Sequence, residues 1–257
     1  VVIKLIQVDD KLNLILGNSI RVNDFLSLKQ FKLKEISNIG FGEYLFRVSN
    51  ILRDVDDFMK MFIDSPNYMD LYQQRNQLTA LDMQLMVCTD DEYKKIFTSS
   101  LEFVLGLPEG SIEVEYDRLL YKNISSDEDV KLIDKETFSI IMNKVKVING
   151  FSESKTDDDE NPYDEKAKKM LEKLRRNREK VEQIKAKETA DSNRDIADII
   201  SAVTAMSHST NKLNVLEYTL YQLYDEHSRL YAIEGYKMSV KASMYGGNEI
   251  SDWGAPQ

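Results

Sequence analysis

A single cysteine, Cys88, among 257 residues removes any disulfide framework and any multi-cysteine zinc site. Only two histidines, His208 and His227, are available for imidazole chemistry. Four prolines and ten glycines fall well below the roughly 5% and 7% of average usage, which argues against a loop-rich β-sandwich and for long helices. Apolar runs are short, and even Val1 to Ile6 is interrupted by Lys4, so neither a membrane span nor a secretory leader is expected. What the chain does have is 42% apolar residues, enough to bury a core and to exclude disordered and collagen-like classes.

The net charge of −10 is unevenly spread. Residues 1–150 carry −6, residues 151–164 carry −5, residues 165–190 carry +5 and residues 191–257 carry −4. This divides the chain into a domain over 1–150, an acidic linker over 151–164, a basic charged helix over 165–190 and a helical C-terminal region over 191–257. The basic stretch has five interspersed acids and no aromatics to stack bases, and the acidic whole repels a polyanion, so the pattern weighs against nucleic acid.

Periodicity predicts an α+β, predominantly helical fold: a small N-terminal β unit with helices, a charged linker, and a helical C-terminal half. Val1 to Val8 reads as a strand, and Leu12 to Leu16 and Ile20 to Val22 flank Gly17-Asn18, a dipeptide suited to a hairpin turn. One amphipathic helix is expected from Tyr44 to Phe62, preceded by a turn at Gly40-Phe41-Gly42. A helix capped by Thr89 with Glu92, strands over 112–121 and Val130 to Ile133, and a helix capped by Asp134 and ending near Gly150 complete the first domain. Beyond it, Met170, Leu174, Asn177, Val181 and Ile184 follow the a/d spacing of a coiled coil, in this chain or through self-association. Asn214 with Glu217 suggests a cap for a long helix carrying Leu216, Leu220, Leu223, Leu230, Val240 and Met244, ended by Gly246-Gly247.

Chemistry-bearing motifs are few. His208 falls in the polar run Ser207 to Asn211, and His227 follows Asp225 and Glu226 on one helix, where consecutive residues point to different faces and cannot converge on a metal. Cys88 sits among Met83, Leu85, Met86 and Val87, the setting of an inert buried thiol. Gly40-Phe41-Gly42-Glu43 lacks the third glycine of a dinucleotide fingerprint and the Gly-Lys-Ser/Thr of a phosphate loop. Asp157 to Glu160 lacks the spaced ligands of an EF-hand. The expectation is a protein without catalytic residues, metal or cofactor.

The run from Asn214 to Leu230, NVLEYTLYQLYDEHSRL, followed by Tyr236 and by ASMYGG over 242–247, resembles proteins encoded among the tail and baseplate genes of tailed bacteriophages of Gram-positive bacteria. LKEISNIGFGEY over 33–44 is similar to the same group, as is the acidic-to-basic linker. Where that group carries Met-Ala-Gly-Ala near the end of the long helix, this chain has Met244-Tyr245-Gly246-Gly247. The resemblance implies a tail assembly chaperone in the host cytoplasm, binding tape-measure, tail tube or baseplate proteins. The alternative is a structural component of the virion tail, baseplate or neck. Helix-in-groove binding would then place partner contacts on Leu216, Leu220, Tyr221, Leu223, Tyr224 and Tyr231. Tyrosine supplies large contact area with a water-tolerant hydroxyl, and ten methionines, among them Met59, Met61, Met83 and Met86, would suit an adaptable surface, although most methionines in helices are ordinary core.

Overall fold

The computed structural model describes residues 8–63, 65, 68–124, 130–151 and 195–244, and its architecture is α+β and predominantly helical. The strand expected over residues 1–8, most of the acidic linker, the basic helix over 165–190 and the Gly246-Gly247 stop lie outside the described residues, save Val8 and Phe151.

The first described element is α1 (Val8–Leu16), where a strand was expected from Leu12 to Leu16. Gly17, at φ +72°, ends this helix and does not turn a hairpin: its N–H donates to the Leu14 carbonyl (3.2 Å) and that of Asn18 donates to Asn13 (2.9 Å). That pair of bonds satisfies the last carbonyls of a helix and needs a left-handed residue at this point. The hairpin comes next, with β1 (Ile20–Arg21) paired antiparallel to β2 (Ser27–Leu28). Its turn is held by Asn23, whose Oδ1 accepts from the amides of Phe25 and Leu26.

Helices α2 (Leu33–Ile39) and α3 (Phe41–Leu52) meet at Gly40, as the Gly-Phe-Gly turn suggested. The single helix expected as far as Phe62 is instead two, because Asp54 stops α3 and starts α4 (Val55–Met61) by accepting the Asp57 amide at 2.8 Å. A local side-chain cap outcompetes continued helix where an aspartate follows a completed apolar face. Then come α5 (Tyr68–Gln74), α6 (Ala80–Val87) and α7 (Asp91–Leu105). Asp90, not Thr89, caps α7, accepting the Tyr93 amide at 2.8 Å, while the Thr89 hydroxyl donates to the Met86 carbonyl.

A three-stranded antiparallel sheet follows in the order β3 (Ile112–Glu115), β4 (Arg118–Lys122), β5 (Val130–Ile133). Its register aligns Val114, Leu119 and Ile133 on the face turned to the core. Asp134 caps α8 (Lys135–Ile148) by accepting from Thr137. In the C-terminal region, Asp195 and Asp198 cap α9 (Ile196–Met206) reciprocally. The long helix α10 runs over Leu220–Met244. It begins later than Asn214 and Glu217 suggested: Thr219 and Gln222 form its capping box, and Val215–Glu217 is a separate 3₁₀ turn that carries Leu216.

Most buried side chains form one cluster running from Leu14 to Leu223, with Phe97, Leu101, Leu119, Ile133, Phe138 and Ile141 at its centre. The C-terminal helices join it through Val203, Val215, Leu220 and Leu223. A second, smaller cluster of Phe58, Met59 and Met83 holds α4, α5 and α6 together as a satellite.

Candidate functional site

The C-terminal region meets the α+β body along a seam made by the 3₁₀ turn and the first turns of α10. Leu220 and Leu223 are 2% and 0% exposed and enter the main core. Burial of two leucines supplies on the order of 3–6 kcal/mol of driving force before ordering costs. Polar contacts fix the register. The Leu33 amide donates to the Tyr218 carbonyl (2.8 Å), and Lys32 forms an isolated antiparallel bridge with Thr219. Buried Gln30 holds two elements at once: its Nε2 donates to the carbonyls of Asn13 and Asn18, and its Oε1 accepts from the Thr219 hydroxyl (3.4 Å). Gln222 Nε2 donates to the Ile15 carbonyl at 2.7 Å, tying α10 to the end of α1.

Two glycines permit this approach. A Cβ at Gly17 would lie 3.3 Å from both Thr219 and Gln222. At Gly150, where φ is +70°, a Cβ would lie 2.8 Å from Cδ2 of Tyr224, so the ring rests directly on the end of α8. At the solvent edge the Lys32 ammonium lies 2.6 Å from the Glu217 carboxylate, and each shifts the other toward its charged form, Lys32 upward and Glu217 downward. Such an exposed pair positions more than it stabilises. Burial raises the pKa of the hydroxyls of Tyr221 and Tyr224 above the ordinary tyrosine value.

The six side chains read as a partner-binding stripe therefore divide. Leu220 and Leu223 are core, and the face they form is filled by this chain's own helices. Tyr221 and Tyr224 are half-buried against that core. Leu216, in the 3₁₀ turn, is 38% exposed, and Tyr231, farther along α10, is 43% exposed with its ring 4.6 Å from that of His227. Helical spacing identifies an apolar face correctly but does not say which chain covers it. The seam residues Gln30 and Lys32 carried no local signal, and Gly150 was legible as a helix end but not as the seat of Tyr224, since each meets a partner more than 70 residues away in sequence.

Cys88 is buried, and burial pushes its thiol up to about 11, which keeps it protonated at neutral pH. His208 is exposed in the loop after α9. Among the described residues no three His, Cys, Asp or Glu side chains converge as a metal site, and no helix is long and apolar enough to cross a membrane.

Residues 185–254 match the family model described as the YomV second domain, a phage-associated family. The matched stretch contains α9, the 3₁₀ turn and α10, the elements that build the seam. No curated protein and no solved structure matches the chain.

Proposed function

We propose that this is a non-enzymatic phage protein of tail morphogenesis, acting as an assembly chaperone that covers helical apolar surface of tape-measure or tube proteins. The observation that carries this reading is the similarity of residues 185–254 to a phage-associated domain, in a chain that keeps large apolar side chains exposed on several helices. Within the C-terminal region, Leu216 and Tyr231 are the accessible members of the stripe, with Tyr221 and Tyr224 at its half-buried border and Leu220 and Leu223 beneath them as support.

The reading is tested by quantitative mass spectrometry of purified phage particles beside the infected-cell lysate. Abundance in the lysate with absence from particles is the expected result. A fixed small-integer ratio to tail proteins inside the particle would make the protein a structural component of the virion and overturn the chaperone role.

A further inference from the structure

The satellite formed by α4, α5 and α6 combines two properties that the main body does not. Its buried cluster is small, and much of its apolar surface faces outward: Met61, Ile63, Met69, Tyr72 and Met86 are between 41% and 62% exposed. Three of these five are methionines, whose unbranched, polarisable side chains adapt to irregular partners at low conformational cost. Single exposed apolar residues are ordinary, but five large ones on a unit of three short helices are a concentration typical of interaction surfaces.

The same unit is acidic. Between residues 54 and 87 six aspartates stand against two basic side chains, Lys60 and Arg75. Asp54, Asp56 and Asp57 gather at the start of α4, Asp70 lies between Met69 and Tyr72 on α5, and Asp82 is in the first turn of α6. Lys60 is engaged by Asp57 at 3.0 Å, and the Arg75 guanidinium lies over the Tyr72 ring at 4.3 Å. Two cations from outside the stretch also reach it, Lys135 pairing with Asp82 at 2.8 Å and Arg53 with Nη1 3.8 Å from Met61 Sδ, so the exposed Asp54, Asp56 and Asp70 carry the local negative charge. An exposed apolar surface bordered by negative charge is complementary to a helix with an apolar stripe and a basic flank.

We propose that the α4–α6 satellite is a docking surface for a basic amphipathic helix of a partner protein, gripped by Met61, Ile63, Met69, Tyr72 and Met86 and steered by the surrounding aspartates. The proposal deepens the reading of a partner-binding protein and rests on it. Its test needs no phage, so the two fail separately: the peptide experiment below can fail while the lysate distribution stands, and the converse.

The probe is a synthetic 14-residue helical peptide of leucine and lysine arranged on opposite faces, with a control in which every lysine is glutamate. Titration by fluorescence anisotropy against the full chain is expected to show saturable binding of the lysine peptide and at least tenfold weaker binding of the glutamate peptide. The double variant Met61→Ser, Met69→Ser changes exposed positions only, so it keeps the fold, and it is expected to bind the lysine peptide at least tenfold more weakly. Labelling the methionine methyl groups with carbon-13 adds a direct readout, with the signals of Met61, Met69 and Met86 shifting more than those of buried Met59 and Met83. Absence of binding, equal binding of both peptides, or undiminished affinity in a folded Met61→Ser, Met69→Ser variant would each overturn the proposal.

Discussion

The main core and the satellite follow the same helical logic and differ in what they can bury. The main core draws Leu28, Ile51, Phe97, Leu101, Leu119, Phe138, Ile141 and Leu223 from elements spread across the chain, all at most 1% exposed. The satellite buries Phe58, Met59 and Met83, with Val55, Phe62, Leu71 and Leu78 packed partly against them. A small cluster has much surface for its volume, so each buried group contributes while many apolar neighbours stay wet. The two clusters meet at Tyr93, which packs on both, and along α6, which buries Leu81 in the main cluster and Met83 in the satellite, and polar bonds run beside that apolar contact. Gln84 Nε2 donates to the Asn50 carbonyl (2.7 Å) while its Oε1 accepts from the Tyr93 hydroxyl (2.7 Å), and the Arg53 guanidinium lies 5.7 Å from the Tyr93 ring centroid. With α6 anchored in the main core through Leu81, α4 and α5 are the part of the satellite able to open while the rest stays closed.

The strongest way to break this comparison is a matched pair of core truncations. Phe97→Ala removes a ring packed edge-on to Phe138 and is expected to cost about 3–5 kcal/mol of global stability. Phe58→Ala deletes the same chemistry in the satellite and is expected to act locally. Native-state hydrogen exchange should show lost protection over α4 and α5, with a smaller drop in Tm than Phe97→Ala gives. Equal drops in Tm with equal loss of protection throughout would show that the two clusters unfold as one unit.

A smaller effect sharpens the border itself. The Asn50 side chain is 1% exposed, and neither its amide nitrogen nor its oxygen has a hydrogen-bond partner among the described residues. An unsatisfied buried amide carries its desolvation penalty without compensation. Asn50→Leu, of similar volume, is expected to stabilise the protein by about 1–3 kcal/mol in denaturant unfolding. A destabilised Asn50→Leu would mean that the amide is satisfied in solution, for instance by a buried water.

Much of this architecture was legible in the sequence because it rests on short-range rules. Gly40 between two helices, the Asp134 cap and the helix ending near Gly150 all depend on residues within a turn of one another, and all are present. The errors arise where two local signals compete. Gly17-Asn18 suits a hairpin and a helix end equally, and Leu14 entering the core decides for the helix. Asp54 was read as part of a continuing helical face, but its side chain caps a new one. For the candidate site the limit is different in kind. The leucine and tyrosine stripe of α10 is apolar as read, yet whether Leu223 meets Phe97's cluster or a foreign helix depends on contacts 100 residues away. Exposure of Met61 and Met69, against burial of Met59 and Met83, depends equally on how three short helices close on one another.

The smallest expected effect is the response to acid, in which one main-core group, Glu102, runs against the lowered carboxylates of both regions. In the satellite, Asp57 is held below the usual carboxylate value, chiefly by its hydrogen bond to Lys60. Asp82 is also lowered: burial opposes ionisation, but Lys135 at 2.8 Å and the Thr79 cap outweigh it. Groups lowered in the fold stabilise it above their unfolded value and lose that contribution as pH falls through their folded value. Glu102 in the main core is raised, because burial penalises its charge more than the Ile112 amide, 2.9 Å from Oε1, compensates. A raised carboxyl favours folding while protonated and takes that contribution away as pH rises through its folded value. Lowering the pH from 6 toward 3.5 therefore removes the contributions of Asp57 and Asp82 in the satellite and of Glu35 and Asp134 in the main body, while Glu102 opposes that loss. In Glu102→Gln, which keeps an acceptor for Ile112 but cannot ionise, the fall in main-core stability with rising pH should flatten. The difference between wild-type and Glu102→Gln unfolding curves measures that contribution directly, since the aspartates are common to both. A difference that is constant across the pH range would show that the backbone donors fully offset the burial of Glu102, and the main core would then lose stability to acid as the satellite does.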